Sequence, residues 1–452
     1  MYIKKNFSHY IFRTYALLPW YLLLYAVTNS VYAGQVKDWT FVVYVAGDND
    51  LKSFAARNIK QMAEVGSNEH INIIVELHTT IAENKKISRR YYIVKNKIYL
   101  VNPDDANLPG KDSGDPNTLI SCCEWAINEY PANHYALIIW NHGTGPLDPV
   151  NGRIINPTKL FSFNPTLDKL ELNRDIGFMD FIEQQNFIER GVCWDDTTGN
   201  YLSNQKLERA LKTVTANYLN GKFDIIGFDT CLMAGIEIAN LARAYGDILI
   251  GSQEVELGTG WNYQEVLAPF DRSTLTPEQF ARNIVMAYQN TYNTITNDYT
   301  QSAINLNQVQ ALESNINTVA ALLISCLQKD KNDSMKNAIN ASRNKRACTH
   351  FDEPSYLDLH HLYTNLIANL KYVTLNTQTP DLLNSLRTEL QQGCNLVNQV
   401  AFANVAGKNL RLAKGISIYF PEKRMHFSYP NTKFAQTNQW SNFLQYFLSL
   451  KN

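Results

Sequence analysis

A thiol and an imidazole together make a nucleophile, and this chain places one of each directly after an apolar run. His142 follows the run at 135–140 (Tyr-Ala-Leu-Ile-Ile-Trp) and sits in Asn141-His142-Gly143; Cys231 follows the run at 223–228 (Phe-Asp-Ile-Ile-Gly-Phe) and sits in Asp229-Thr230-Cys231. If the two runs are neighbouring parallel strands, both side chains emerge at the carboxyl edge of one sheet, where open α/β folds bind ligands. Their separation of 89 positions in the chain is then no obstacle. An adjacent imidazole stabilises a thiolate, and a helix expected over 232–243 would add the positive end of its dipole. The chemistry this predicts is attack of the thiolate on a carbonyl carbon. Gly143 can bring its backbone N–H close to the developing oxyanion, with the N–H of Cys231 as a second donor. A packing cysteine and a turn-capping histidine are the plainer readings, and each residue taken alone fits them; the matched placement argues for a site.

Such a placement requires particular elements. The run at 39–46 (WTFVVYVA) is rich in β-branched and aromatic residues, and after Gly47-Asp48-Asn49-Asp50 the spacing of Ala55, Ile59 and Met62 is helical. This reads as strand, turn, helix. Further buried strands at 71–77, 135–140 and 223–228, with helices between them, predict an α/β fold: a mostly parallel sheet flanked by helices. A polar hairpin over 91–101, with Asn96 near its turn, is expected at a sheet edge. From Thr276, where Thr-Pro-Glu-Gln forms a capping box with Pro277 at the first helical position, the chain turns mainly helical. Helices are expected over 277–289, 308–327 and 381–403, with one more strand at 415–420. The division this suggests is a core over 34–270 and a mainly helical C-terminal companion domain over 271–452.

Composition sets the class. The chain has 452 residues, 45% hydrophobic and 18% charged, which excludes a disordered or fibrous chain. Lys+Arg number 41 against 42 Asp+Glu, so no basic excess exists to attract nucleic acid. The first 33 residues hold Lys4, Lys5 and Arg13, then an apolar stretch at 15–27 and Val31-Tyr32-Ala33. They read as a cleavable export signal, placing the mature protein in a periplasm or outside the cell. No later run reaches the ~18 apolar residues of a bilayer span, so no stable membrane span is expected in the mature chain. Seven cysteines leave at least one unpaired, and without a Cys-x-x-Cys pair a structural zinc site has no support. The remaining candidates are weaker. His360 and His361 are adjacent and diverge on any regular element; Cys122-Cys123 fits packing in a helix. Gly47-Asp48-Asn49-Asp50 lacks dinucleotide-loop spacing and reads as a capped helix start whose carboxylates could hold a cation.

Five segments together resemble the clostripain family of cysteine peptidases. They are Tyr44-Val45-Ala46-Gly47-Asp48-Asn49-Asp50-Leu51, Trp140-Asn141-His142-Gly143, Gly191-Val192-Cys193-Trp194-Asp195-Asp196, Phe228-Asp229-Thr230-Cys231-Leu232-Met233-Ala234, and Gly251-Ser252-Gln253-Glu254 with the later Gly260-Trp261. The similarity spans 39–263, with looser matches at 302–306, 356–359 and 415–421. It implies a caspase-like fold, a His142–Cys231 dyad, protein or peptide substrates cut after Arg or Lys, frequent calcium dependence, and self-processing between the dyad residues. The connection over 144–200 carries Arg153, Lys159, Lys169, Arg174 and Arg190. Lys169 or Arg174 is the expected cut site ahead of Arg190, because 191–196 resembles an ordered segment. Asp229 matches an acidic position that faces a cationic substrate side chain, although it could instead cap the helix behind Cys231. Glu254 and Glu256 are the next acidic candidates, since Gly258-Thr259-Gly260 carries none. No residue that orients His142 is legible. The competing class is a catalytically idle binding or adhesion protein retaining the fold, and intact Cys231 and His142 argue against it.

Overall fold

Side chains of β1 (Lys37–Ala46) are buried on both faces. Val42, Tyr44 and Ala46 enter one core and Phe41, Val43 and Val45 the other, which is why its sequence is a continuous apolar run. The computed structural model describes residues 34, 36–81, 85–101, 109–148, 160–174, 191–376 and 380–450. The expected export signal at 1–33 and Arg190 lie outside them.

After β1 the chain forms β2 (Ile71–Thr80), β3 (Lys86–Val94), β4 (Lys97–Leu100) and β5 (Ala132–Trp140). Two small hairpins follow, β6 (Phe161–Asn164) with β7 (Lys169–Leu172) and β8 (Val192–Asp195) with β9 (Asn200–Leu202). Then come β10 (Phe223–Asp229), β11 (Gly246–Gly251), β12 (Thr300–Asn305), β13 (Tyr356–Asp358), β14 (Ala401–Ala406) and β15 (Ser417–Tyr419). Nine of these build one sheet in the order β14-β12-β11-β10-β5-β1-β2-β3-β4. From β2 to β11 every neighbouring pair is parallel, and both edges are antiparallel. Helices cover both faces, as a parallel sheet requires. The β3–β4 hairpin lies at the edge with Asn96 left-handed (φ 60°) in its turn, as its sequence predicts. No helix among the described residues is long and apolar enough to cross a membrane.

Three expectations need correction. The helix behind Cys231 spans Ile236–Ala242, because Leu232 adopts φ 64° and interrupts any helix from 232. The helix expected over 381–403 stops at Val400, and β14 follows at once. The free edge of β12 offers Ala401–Ala406 a ladder, and pairing there overrides the helical preference of its alanines. For the same reason no companion domain separates at 271: β12 and β14 extend the central sheet, and Val309, Leu312 and Trp440 share a core with Val42 and Leu137.

Candidate active site

The register of β5 and β10 decides the central question. Trp140 pairs with Asp229 in the parallel ladder, so two residues further along each strand His142 and Cys231 stand side by side. Close approach of the two strand ends requires Gly143: a Cβ there would lie 2.4 Å from the Cys231 carbonyl oxygen and 2.7 Å from Thr230 Oγ1. Asn141 anchors this end, donating from Nδ2 to the Ala46 carbonyl (2.5 Å) and accepting from the Trp194 N–H (2.8 Å). The Trp194 ring meets the His142 ring edge-on at 5.7 Å.

The third contributor is β1. Asp50, four residues beyond its end, places Oδ1 2.6 Å from His142 Nε2. This partner was not legible in the sequence, where Asp50 reads as part of a capped helix start; the helix Lys52–Val65 in fact begins without a side-chain cap. The other carboxylate of that turn, Asp48, lies 3.4 Å from Lys86 Nζ, which also pairs with Asp195. A lysine therefore fills the cation role that the Gly47-Asp48-Asn49-Asp50 turn suggested. Among the described residues no group of three or more His, Cys, Asp or Glu side chains could hold a metal ion.

Cys231 is 5% exposed, and its Sγ accepts the Glu256 N–H at 3.3 Å. Burial pushes the thiol well above its ordinary pKa, and no helix N-terminus stands at the sulfur to offset it. The helix starts too far along the chain. In its place stands a tight turn, in which Leu232 donates to the Glu254 carbonyl (3.2 Å) and Ala234 to the Ser252 carbonyl (2.9 Å). Those bonds hold a left-handed leucine, a conformation costing about 1–2 kcal/mol.

Two carboxyl groups complete the site. Asp229 accepts from the Trp261 N–H (3.1 Å) and the Tyr263 hydroxyl (2.8 Å), so it does not cap the following helix, whose N-cap is Gly235. Gly260, at φ 61°, leaves room for it; a Cβ there would stand 2.8 Å from Asp229 Oδ2. Asp229 and Glu256 are close enough for each to shift the other's titration. Burial raises Asp229 to about 6, while burial and the neighbouring Asp229 charge drive Glu256 well above the carboxylate range. Of the two, Glu256 is therefore the one that holds its proton to the higher pH, and Asp229 is the one that ionises first. Asp50, His142, Cys231, Asp229 and Glu256 all line a cavity of about 280 Å³, closed in part by Leu160 and Phe161.

Glu254 does not line it. Its carboxylate accepts from Arg174 (3.0 Å), from the Asp352 N–H (2.9 Å) and from its neighbour Val255 (2.9 Å). Arg174 also reaches Asp298 at 3.2 Å. Lys169 lies in β7 and donates to the Asn293 carbonyl (2.7 Å) and Asn297 Oδ1 (3.0 Å). All seven cysteines are free, and Cys122 and Cys123 are packed inside the helix Pro116–Glu129. His361 faces Thr349 (2.9 Å) whereas His360 lies 3.4 Å from Asn398, so the two rings diverge.

The model of the clostripain family matches residues 43–171 and 180–447. Clostripain of Hathewaya histolytica is 20% identical over 90% of this chain and 79% of its own length. Two solved structures share the fold at a TM-score of 0.57 each. One is a secreted C11 cysteine protease from Bacteroides thetaiotaomicron in complex with an irreversible peptide inhibitor (19% identity, 90% of this chain, 99% of that one). The other is an inactive zymogen C11 protease from Parabacteroides distasonis (16% identity, 91% and 99%). With its caspase-like sheet and a family match along most of its length, the chain belongs to the clostripain family and is a cysteine-type endopeptidase.

Proposed function

We propose that the protein is an exported endopeptidase that cleaves after Arg, or Lys, through Cys231 and His142. The observation that carries this reading is the convergence of three parallel strand ends, which bring Cys231, His142 and Asp50 into one cavity walled by the Asp229–Glu256 pair. In the mechanism, Cys231 passes its proton to His142 and attacks the scissile carbonyl. The N–H groups of Gly143 and Cys231 hold the oxyanion, and His142 protonates the leaving amine. Water then attacks the thioester, releases the acid product and restores the thiol. Asp50 accepts from His142 Nε2–H throughout, fixing the tautomer whose other nitrogen faces the thiol and stabilising the imidazolium. The Asp229 carboxylate, beside Glu256, receives the substrate cation. Arg is favoured over Lys because a guanidinium can bond two acceptors at once.

A buried thiol bonded to Glu256, under Leu160 and Phe161, fits a precursor awaiting self-processing in the connection between His142 and Cys231. Fluorogenic peptides varied at the residue before the cut test the reading. Turnover is expected with Arg and Lys only and vanishes in Cys231→Ala, while Cys394→Ala retains it. Substantial turnover by purified Cys231→Ala refutes the nucleophile.

A further inference from the structure

A larger cleft, about 790 Å³, lies apart from the Cys231 cavity and shares no lining residue with it. Its walls carry Arg343, Lys345, Arg346, Lys423 and Arg424 against two acids, Glu353 and Glu422, in a chain whose charges otherwise balance. Lys345, Arg346, Lys423 and Arg424 are exposed, and none forms an ion pair with a described residue. Arg343 is 6% exposed; it donates to the Phe420 carbonyl (2.8 Å) and stacks on that ring, but its Nε–H has no partner. The His350 ring lies in the same wall between the Pro354 and Arg343 carbonyls, 2.7 Å from each, and its one N–H can donate to either. Phe427, 64% exposed, packs against His426, which lines the cleft.

The cleft adjoins the segment that follows His142. Leu147 lines it and is tied back by Tyr356, whose hydroxyl donates to the Thr144 carbonyl (2.6 Å) and accepts the Leu147 N–H (3.2 Å). Leu147 is five positions beyond His142, so their Cα atoms are at most ~18 Å apart, at ~3.6 Å per extended residue. A polypeptide lying in the Cys231 cavity can therefore reach the cleft with about five to eight further residues.

We propose that this cleft is a remote substrate-binding surface that captures an acidic stretch of the polypeptide being cleaved. Its unpaired cations match the chemistry of Asp- and Glu-rich segments, and its distance matches the span of a bound peptide. The proposal rests on the peptidase reading of the Cys231 cavity.

Fluorogenic peptides sharing one Arg-containing core test it. One set carries four Asp or Glu residues about five to eight positions from the Arg, on either side; the other carries Ser and Gly there. For the full-length enzyme, kcat/KM for one acidic set should exceed its neutral counterpart on the order of fivefold at low salt, the yield of a few exposed ion pairs. The advantage should vanish at about 0.5 M NaCl and in the triple variant Lys345→Glu, Arg346→Glu, Lys423→Glu, which should cleave the unextended core like wild type. Equal rates for the two sets, or an advantage that survives in the triple variant, overturn the proposal. Failure of the core to be cleaved indicts the peptidase reading instead. Binding of the labelled acidic peptide to full-length Cys231→Ala, followed by fluorescence anisotropy, then decides the cleft by itself: loss of binding in the charge-reversed form supports it, and no binding refutes it. Binding of a sulfated polysaccharide without binding of the acidic peptide also refutes it.

Discussion

Replacing Asp50 probes the contact that sets His142. The Asp50–His142 bond is 2.6 Å long, and its acceptor is a carboxylate whose side chain is 26% exposed, while the histidine side chain is 6% exposed. A hydrogen bond to a charged group is worth about 1.5–3 kcal/mol. Water can reach Asp50 in part, so the lower half of that range applies. Asp50→Ala should then lower kcat/KM by ~10–30-fold, from about 1.5–2 kcal/mol of lost transition-state stabilisation. Asp50→Asn keeps an oxygen that can accept from Nε2–H but loses the charge, and about 1 kcal/mol, or ~5-fold, should go. The loss should fall on kcat with KM near its wild-type value, because the imidazolium gathers charge only during reaction. Thermal melting should move by no more than a few degrees. Steady-state kinetics of both variants on one Arg peptide decide the matter. An alanine variant with undiminished kcat, or an effect confined to KM, refutes positioning and makes Asp50 a substrate contact at most.

The Asp229–Glu256 pair predicts a pH signature. Asp229 is raised to about 6, so it is neutral below that pH and charged above it, and preference for Arg over an uncharged residue before the cut should grow as pH rises through about 6. Asp229→Asn should abolish that growth and lower kcat/KM for Arg peptides by ~1.5–3 kcal/mol while sparing uncharged ones; persistent Arg preference refutes the assignment. Wild-type protein should purify as two associated fragments and Cys231→Ala as one chain. Lys169 sits in the β7 ladder, which resists proteolysis, so terminal sequencing should place the cut after Arg174 rather than Lys169.

Local physics made part of this protein legible from its sequence. A strand buried on both faces must be apolar throughout, so residues 39–46, 135–140 and 223–228 announced themselves, as did the Thr276–Gln279 capping box, which forms as its residues predict. Because His142 and Cys231 follow two such runs directly, their shared edge was readable too. Asp50 was not, since its role depends on β1 lying beside β5, and pairing between distant segments leaves no periodic trace. The same holds for the acids near the thiol. Glu254 and Glu256 are alternate residues of one segment, yet Arg174 claims the first and Asp229 the second, a distinction that exists only once three segments pack together. Likewise Ala401–Ala406 is a strand because β12 leaves an edge open, and Leu232 is left-handed because Ser252 and Glu254 grip the turn. Sequence determined which segments must be buried and which residues end them; the tertiary structure decided their neighbours, because a short segment's conformation and a carboxylate's partner are set by whatever lies across the gap.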